Sequence, residues 1–280
     1  MRTFVSAAAV LIGLLMAAVA VPAIWVDRNI VREDGFVALA APLGQDPVFQ
    51  RRLATAAVGS LGGADRIPEA VAELARPILD KAAQSLTGMP GYPGAWAETL
   101  RRSHRLTFAN PGTLPPEAAG ATALTLDVAP LVGLVAKEVS DATNLPLAAP
   151  EQVLIHIGQS NQRQAVERVA AYAPMGYAVA IGAAIAFLLA LVAARRRWTV
   201  LAGTGAGALV LAGAWKLAAD AGGGALAGTS SGNEMADIFT REFASASAGI
   251  FGQWILTVAL AGGVLLVVGL LLRAVGGRRA

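Results

Sequence analysis

Four long apolar runs dominate the pattern of the chain, and polar segments separate them. The runs cover residues 1–26, 173–194, 198–218 and 250–272. Each run is long enough to cross, as a helix, a hydrocarbon core about 30 Å thick. The pattern therefore predicts a membrane protein of mainly α class with four transmembrane helices.

The polar segment 27–172 lies between the first two runs and has the length of one domain. Its apolar positions mostly follow helical spacing. Trp96 and His104 recur on one face of a helix predicted over 95–109. A turn rich in proline and glycine is predicted before it, over 89–94. Other helices are predicted over 46–61, where Asp46 is the expected N-cap, and over 68–86.

Two short stretches of this domain change from helical spacing to alternation. The alternating apolar residues in 122–128 and 153–157 predict two β-strands. A helix predicted over 130–141 between them allows either a parallel crossover or an antiparallel pair. The domain is thus predicted as a mostly helical α+β fold with a small two-strand element. Its last helix begins at Ser160 and is predicted to continue into the second transmembrane helix, with a kink at Pro174.

The segment 219–249 combines a glycine-rich loop with an amphipathic helix over 233–245. The apolar side of this helix carries Ile238, Phe239 and Phe243. Because such a face is stable only when it is covered, we expect the helix to lie on the outer membrane surface or to pack against the polar domain.

Two apolar runs carry further local signals. A signal peptide cleaved after Ala18-Val19-Ala20 is the alternative to a retained first helix, but the run exceeds the usual apolar core of about 7–15 residues. Trp25 also lies where an interfacial anchor belongs, and both features favour retention. In the third run, the GxxxG pair Gly203 and Gly207 predicts close helix packing. Lys216 near its outer end is predicted to reach the interface or to pair with an acid one turn on.

The charge distribution predicts the orientation in the membrane. All nineteen acids lie in 27–172 and 216–248, whereas the turn 195–197 and the tail 273–280 hold only cations. Arginine clusters in short loops stay in the cytoplasm. We therefore expect a multi-pass protein of the cell (plasma) membrane with both termini cytoplasmic, and with 27–172 and 219–249 extracytoplasmic. The topology anchors are Arg195, Arg196, Arg197, Arg273, Arg278 and Arg279.

Composition excludes several kinds of chemistry. The chain is 55% hydrophobic with a mean hydropathy of +0.58, which is too apolar for an ordinary soluble domain. It has no cysteine, so disulfides and thiolate chemistry are excluded. The pI of about 9.7 reflects the cytoplasmic arginines rather than a nucleic-acid surface. No metal, cofactor or nucleic acid is predicted.

Three side chains of the polar domain are candidates for a site: Trp96, His104 and Asp127. A catalytic histidine needs an orienting partner and a nucleophile, and the sequence singles out neither for His104. A half-buried histidine on the face of Trp96 is therefore favoured. Asp127 is either a ligand or the cap of the helix that begins near Pro130, and the cap is favoured. No catalytic residue is assigned.

Two other features of the sequence bear on hydrolase and on ion-coupled transporter activity. Gly228–Gly232 matches the G-x-S-x-G of nucleophile elbows, but that motif needs a preceding strand, and here a Gly/Ala/Ser loop precedes it. A linker is therefore favoured. Ion-coupled carriers usually place ionisable groups at mid-bilayer, and none of the four runs has one there.

Four parts of the chain carry a resemblance to a known family: the stretches 25–37 and 42–48, the helix of Trp96, His104 and Arg105, and the segment 124–131. They resemble a family of uncharacterised multi-pass integral membrane proteins of actinobacteria. The resemblance covers most of residues 1–200. It implies a retained first span, a large extracytoplasmic domain between the first and second transmembrane helices, and further spans towards the C-terminal end. It brings no activity and therefore no catalytic residues.

Three classes of function remain open at this point. The favoured one is a non-enzymatic integral membrane protein of the cell envelope, whose outer domain binds a protein, a lipid or a wall component. A transporter or transporter subunit would need a polar path through the spans. An extracytoplasmic hydrolase would need a convergent polar pocket around His104 or Asp127. The expected partners are the lipid bilayer and either an envelope protein or a second copy of the chain.

Overall fold

The described residues form two units. The helical unit comprises Met1–Arg28, Ala170–Gly224 and Ser247–Ala280, and the α+β unit comprises Asn29–Val169 and Ala225–Ala246. The structure is a computed structural model, and it describes residues 2–46, 48–50, 85, 88–108, 124–143, 150–157, 162–227 and 234–276.

Most described residues are helical, and two short strands form a small sheet. The elements in chain order are α1 (Arg2–Val26), a π-helical stretch (Asp27–Val31), α2 (Glu33–Ala40), a 3-10 helix (Ala41–Gln45), α3 (Tyr92–Phe108), β1 (Leu124–Asp127), α4 (Ala129–Thr143), β2 (Leu154–Ile157), α5 (Gln162–Tyr172), α6 (Met175–Ala193), α7 (Arg197–Ala227) and α8 (Glu234–Gly276).

In the part of the chain that the structure describes, four helical segments are long and apolar enough to cross a membrane, as the sequence predicts. They lie in α1, α6, α7 and α8. Among the described residues, every exposed large hydrophobic side chain except Val48 and Val169 belongs to the helical unit. Exposed apolar side chains in this number need an apolar environment or a partner to cover them.

Helices α1 and α6 pack antiparallel through small residues that recur at intervals of seven. The Ser6 hydroxyl donates to the Ala190 carbonyl oxygen at 2.9 Å, while Gly176 at the other end of α6 lies against Ile24. Small residues let two backbones approach closely, and a repeat of seven keeps them facing one partner. The buried small residues at this spacing are Ser6, Gly13 and Ala20 on α1, and Gly176, Ala183 and Ala190 on α6.

Glycines also bring α7 and α8 into backbone contact. A Cβ atom on Gly205 would lie 2.5 Å from the carbonyl oxygen of Gly262. A Cβ atom on Gly269 would lie 2.6 Å from the backbone nitrogen of Ala202. Both distances are below any normal contact, so this helix pair depends on having no side chain at these positions.

The GxxxG prediction is correct for only one of its two glycines. Gly207 packs closely, against the side chain of Leu14 on α1. Gly203 has no atom within 4 Å of its Cβ position, so it makes no close packing contact among the described residues. Sequence spacing shows which glycines share a helix face, but not which of them meets a neighbouring helix.

Gly205→Ala is expected to destabilise the helical unit, whereas Gly213→Ala on the same helix is expected to stabilise it. At position 205 the methyl group would displace the backbone of α8, and overpacking of this kind costs about 1–3 kcal/mol. Position 213 is open, and alanine exceeds glycine in helix propensity by about 1 kcal/mol. Thermal unfolding of the full chain in detergent, followed by circular dichroism, measures both. Equal midpoints for the two variants would contradict the glycine contact.

Helix α3 lies at the centre of the α+β unit and packs against α2, β1 and α4. Its side chains Trp96 and Leu100 are 2% and 0% exposed and form the middle of the hydrophobic core. The sequence predicts this helix from residue 95, but it begins at Tyr92. Pro93 accounts for the difference, because proline is favourable in the first turn of a helix, where its missing N–H costs no hydrogen bond.

The predicted two-strand element is present, and its strands are antiparallel. Leu124 of β1 lies opposite Ile157 of β2, and Asp127 lies opposite Leu154. The sequence left the direction open, because a helix as long as α4 fits either arrangement.

The segment predicted as an amphipathic helix contributes to the core of the α+β unit. Ile238 and Phe239 are buried in the same cluster as Trp96, and Phe243 packs against that cluster. The prediction that this apolar side packs against the polar domain is confirmed. The helix is not a separate element, however, because α8 continues without interruption from Glu234 to Gly276. The glycine-rich loop predicted at the start of the segment 219–249 is wrong as far as Ala227, because α7 extends from Arg197 to Ala227.

The predicted continuity between the last helix of the polar domain and the second apolar run is wrong. Helix α5 ends at Tyr172, a turn follows at Ala173 and Pro174, and α6 begins at Met175. Proline cannot donate the backbone hydrogen bond of a helix interior and clashes with the preceding turn. Here the result is an interruption and not a kink.

Some predictions fall on residues outside the described ranges. The start of the helix predicted over 46–61 is described: the Asp46 carboxylate accepts hydrogen bonds from the N–H groups of Val48 and Phe49, at 2.7 and 3.0 Å, as an N-cap does. The predictions outside these ranges are the rest of that helix beyond residue 50, the helix over 68–86 apart from Ser85, the cap Ser160, the Gly228–Gly232 motif, and the anchors Arg278 and Arg279.

Candidate functional site

The three site candidates all lie in the α+β unit, but their polar groups have different partners. Trp96 and His104 are both buried and lie about two turns apart on α3. Asp127 is the last residue of β1. The surroundings of each side chain decide what chemistry it can perform.

The buried carboxylate of Asp127 ties three segments together. Its Oδ1 accepts hydrogen bonds from the backbone N–H groups of Ala129, at 3.0 Å, and Val153, at 3.1 Å. Its Oδ2 lies 3.8 Å from Nη1 of Arg102 on α3. The bond to Ala129 agrees with the favoured prediction that Asp127 caps the following helix. With these partners the carboxylate holds the fold together and is not a free ligand.

Ser103 is a hydrogen-bond partner of Asp127 that the sequence does not predict. Its hydroxyl donates to the Thr99 carbonyl oxygen at 2.7 Å and accepts the Asp127 N–H at 2.9 Å. The bond to Thr99 is the common local bond of a helical serine. The second bond joins residues far apart in sequence, so no local signal announces it. A serine whose hydroxyl is buried and doubly hydrogen-bonded is poorly placed to act as a nucleophile.

The exposed side of α3 carries an ion-pair network centred on Glu98. Its carboxylate lies 3.5 Å from Arg101, 3.2 Å from Arg102 and 3.3 Å from Arg105. Partial burial raises the pKa of Glu98, but the hydrogen bond from Arg102 and the charge of Arg105 together lower it by more. The pKa of Glu98 is therefore below its usual value. Exposed ion pairs contribute little stability each. The network therefore mainly orders a polar face on the outside of the unit.

The His104 ring is buried and held in one orientation. Its Nε2 lies 3.0 Å from the Ile30 carbonyl oxygen, and because a carbonyl only accepts, this nitrogen carries the proton. The ring packs against Phe108 and Phe36, with centroid distances of 4.5 and 5.2 Å. Burial lowers the pKa of His104, so the neutral ring is favoured. The structure thus agrees with a structural histidine, more deeply buried than expected.

The stability of the α+β unit is expected to fall as the pH drops below about 6.5, the usual pKa of histidine. The folded-state pKa of His104 is lowered, so the unfolded chain takes up the proton first. The neutral ring contributes its full stabilisation at pH values above the pKa of the unfolded state. This stabilisation is lost as the pH falls towards the lower pKa of the folded state. Burial has the largest effect on the pKa of His104. The charge of Glu33 raises this pKa and the charge of Arg105 lowers it, both by less than burial does.

Hydrogen exchange of α3 amides measures this loss at about pH 7.5 and about pH 5.5, on either side of the usual histidine pKa. His104→Phe keeps an aromatic ring but cannot be protonated, so it should remove most of the change in protection. If wild type and variant lost protection equally, another group would be responsible.

Trp96 is the central core side chain of the unit rather than a binding platform. Its Nε1 donates to the Ala40 carbonyl oxygen at 3.2 Å. Its ring meets Phe49 edge-on at a centroid distance of 5.7 Å, and Gly44 lies directly against the indole. A Cβ at Gly44 would overlap the ring, so the pocket around Trp96 is completely filled on that side.

The described topology anchors lie at one end of the helical unit. Arg195 and Arg196 lie in the connection between α6 and α7, and Arg197 is the first residue of α7. The guanidinium of Arg273, near the end of α8, lies 5.0 Å from the ring centre of Trp198 at the start of α7. This cation–π contact brings together the two groups of cations that the sequence predicts to be cytoplasmic.

Neither a metal centre nor a relative identifies the site. Within the described ranges, no three His, Asp or Glu side chains are arranged to hold a metal ion. The chain matches no family model, and comparisons with curated proteins and with solved structures give no significant match. The resemblance to actinobacterial membrane proteins therefore stays a prediction, and function is argued from the chain itself.

Proposed function

We propose that the chain is a non-enzymatic, four-span integral membrane protein of the cell envelope. In this proposal the Arg195–Arg197 turn and both termini are cytoplasmic, and the α+β unit lies outside the plasma membrane. The outer unit acts by binding a protein, a lipid or a wall component.

The observation that carries the topology is the core shared by two separate polar segments. Ile238 and Phe239, from the segment 219–249, are buried with Trp96, from the segment 27–172. Segments that share a core have to be on the same side of a bilayer. Four spans in the predicted order meet this requirement, because two spans separate the segments. The arginine turn then lies on the opposite side, as the positive-inside rule requires.

The chemistry of the candidate residues supports binding rather than catalysis. The oxygens of Asp127 accept backbone hydrogen bonds and face an arginine. The Ser103 hydroxyl and the Nε2 of His104 are likewise engaged with the backbone. A hydrolytic site needs a nucleophile and a base in reach of each other and of substrate. These three side chains instead stabilise the unit that presents the polar face of α3.

Cysteine labelling in spheroplasts tests the topology. The chain has no cysteine of its own, so single cysteines report without background. Lys137→Cys, at a side chain that is 72% exposed, should react with a membrane-impermeant maleimide in intact spheroplasts. Arg196→Cys should react only after permeabilisation. Reaction at 196 in intact spheroplasts, with 137 protected, would overturn the topology.

Photo-crosslinking in living cells tests the binding function. A photoreactive amino acid at Arg101, on the exposed face of α3, should give an adduct whose mass shows whether the ligand is a protein, a lipid or a glycan. Val192, an exposed apolar residue of α6, is the control and should give only lipid adducts. If Arg101, Lys137 and Glu151 all gave no specific adduct, the binding function would be refuted.

A further inference from the structure

A cavity of about 810 Å³ opens at the arginine end of the helical unit. It lies where α1 begins, α6 ends and α7 begins. Its volume is within the range of small-molecule sites, about 300–1,000 Å³. The residues that define its character are Thr3, Ser6, Val10, Arg195, Arg196 and Val200.

The cavity has a cationic rim whose charges are not neutralised. In the described part of the chain, neither Arg195 nor Arg196 forms an ion pair, whereas all three arginines of α3 do. The backbone of the turn is fixed, since the N–H and the hydroxyl of Thr199 both donate to the Arg196 carbonyl oxygen, at 3.0 and 2.6 Å. The two exposed guanidinium groups therefore extend from an ordered turn and are available to an anion.

One part of the cavity wall is apolar. Val10 and Val200 contribute to its wall, and Val200 is buried. The polar residue Ser6 lines it too, but its hydroxyl is engaged with the Ala190 carbonyl oxygen. A small hydrophilic anion would leave this apolar surface uncovered. A molecule with a negatively charged head and a hydrocarbon chain would cover both parts.

We propose that this cavity binds an anionic phospholipid, with its phosphate on Arg195 and Arg196 and the start of an acyl chain along Val10 and Val200. Arginine matches phosphate with paired N–H donors. Basic pockets between transmembrane helices are suited to anionic head groups. The assignment of this lipid to the cytoplasmic leaflet rests on the proposed topology, but the binding itself does not.

Native mass spectrometry of the full chain, released from nanodiscs of phosphatidylglycerol and phosphatidylcholine, tests the proposal. We expect retained phosphatidylglycerol on wild type and about thirtyfold less on Arg195→Gln/Arg196→Gln, as expected for the loss of two interfacial arginines. Arg168→Gln/Arg241→Gln removes the same charge from two exposed positions of the α+β unit, away from the polar face of α3, and should retain the lipid. Equal retention of the two lipids by wild type, or equal retention by both double variants, would overturn the proposal.

Two further arms separate lipid binding from a general electrostatic attraction and from the binding of free phosphate esters. Val10→Trp fills the apolar wall and keeps both arginines, so it should also lower lipid retention, whereas a purely electrostatic attraction would be unchanged. Soluble glycerol phosphate should not displace the lipid. If it did so at concentrations equal to the lipid, the site would be one for free phosphate esters, and the lipid proposal would be wrong. Because nanodiscs expose both faces of the membrane, lipid retention does not depend on the orientation of the chain. A wrong topology would therefore appear in the cysteine labelling, whereas a wrong binding proposal would appear in the lipid retention.

Discussion

Phe239→Ser/Phe243→Ser is expected to open the α+β unit and to make residues 27–172 more sensitive to protease. Phe239 is buried in the core, and its ring stacks on Phe243 with a centroid distance of 5.6 Å. Phe243 in turn meets Phe36 of α2 at 5.4 Å. Each aromatic side chain contributes about 1.5–3 kcal/mol when fully buried. The double variant thus loses a large share of the stability of an ordinary domain.

Limited proteolysis of the full chain in detergent measures the effect. Arg241→Ser/Ser245→Ala changes two exposed positions of the same helix and should be cut at the wild-type rate. If the phenylalanine variant were cut no faster than this control, the segment 234–246 would not stabilise the core, and the argument for the topology would lose its support.

Trp96→Ala is expected to lower the local stability of α3 by about 3–5 kcal/mol, the usual cost of removing a buried aromatic side chain. The ring is almost fully buried, and its N–H satisfies the Ala40 carbonyl oxygen. Its loss would leave a cavity between α3 and the Ala41–Gln45 turn, and would leave that carbonyl without its donor.

Hydrogen exchange of the α3 amides measures this loss, because it reports on one unit of a protein that has two. Trp96→Phe removes the hydrogen bond but keeps most of the ring volume, so its effect should be smaller than that of Trp96→Ala. Gly44→Ala would push a methyl group into the indole and should also destabilise α3. Full protection in Trp96→Ala would show that α3 does not depend on this core.

Several features of the candidate site could be predicted from local sequence alone. The cap formed by Asp127 depends on the adjacent helix start, and the bond partner Ala129 is two residues away. Lys216 pairs with Asp220 one helical turn on, which is one of the two arrangements predicted for it. Interactions of this range follow from helix and turn geometry, so spacing in the sequence is sufficient to find them.

The remaining partners could not be predicted, because they come from distant parts of the chain. Ser103 meets Asp127 only because α3 packs on β1, and His104 meets Ile30 only because α3 packs near the end of the π-helical stretch. Nothing in either sequence neighbourhood marks these pairs. The same holds for the arginine cavity, since Val10 and Arg195 are brought together by the antiparallel packing of α1 and α6.

The sequence by itself determined the number of long apolar helices, the presence of two strands and the apolar face around Phe239. Each depends on hydrophobic length or period, which is a property of neighbouring residues. Only the tertiary structure decided the antiparallel register of the strands, the close approach at Gly205 and the different roles of the three site candidates. The physical reason is that packing selects among faces, directions and partners that are locally equivalent, through contacts between residues far apart in the chain.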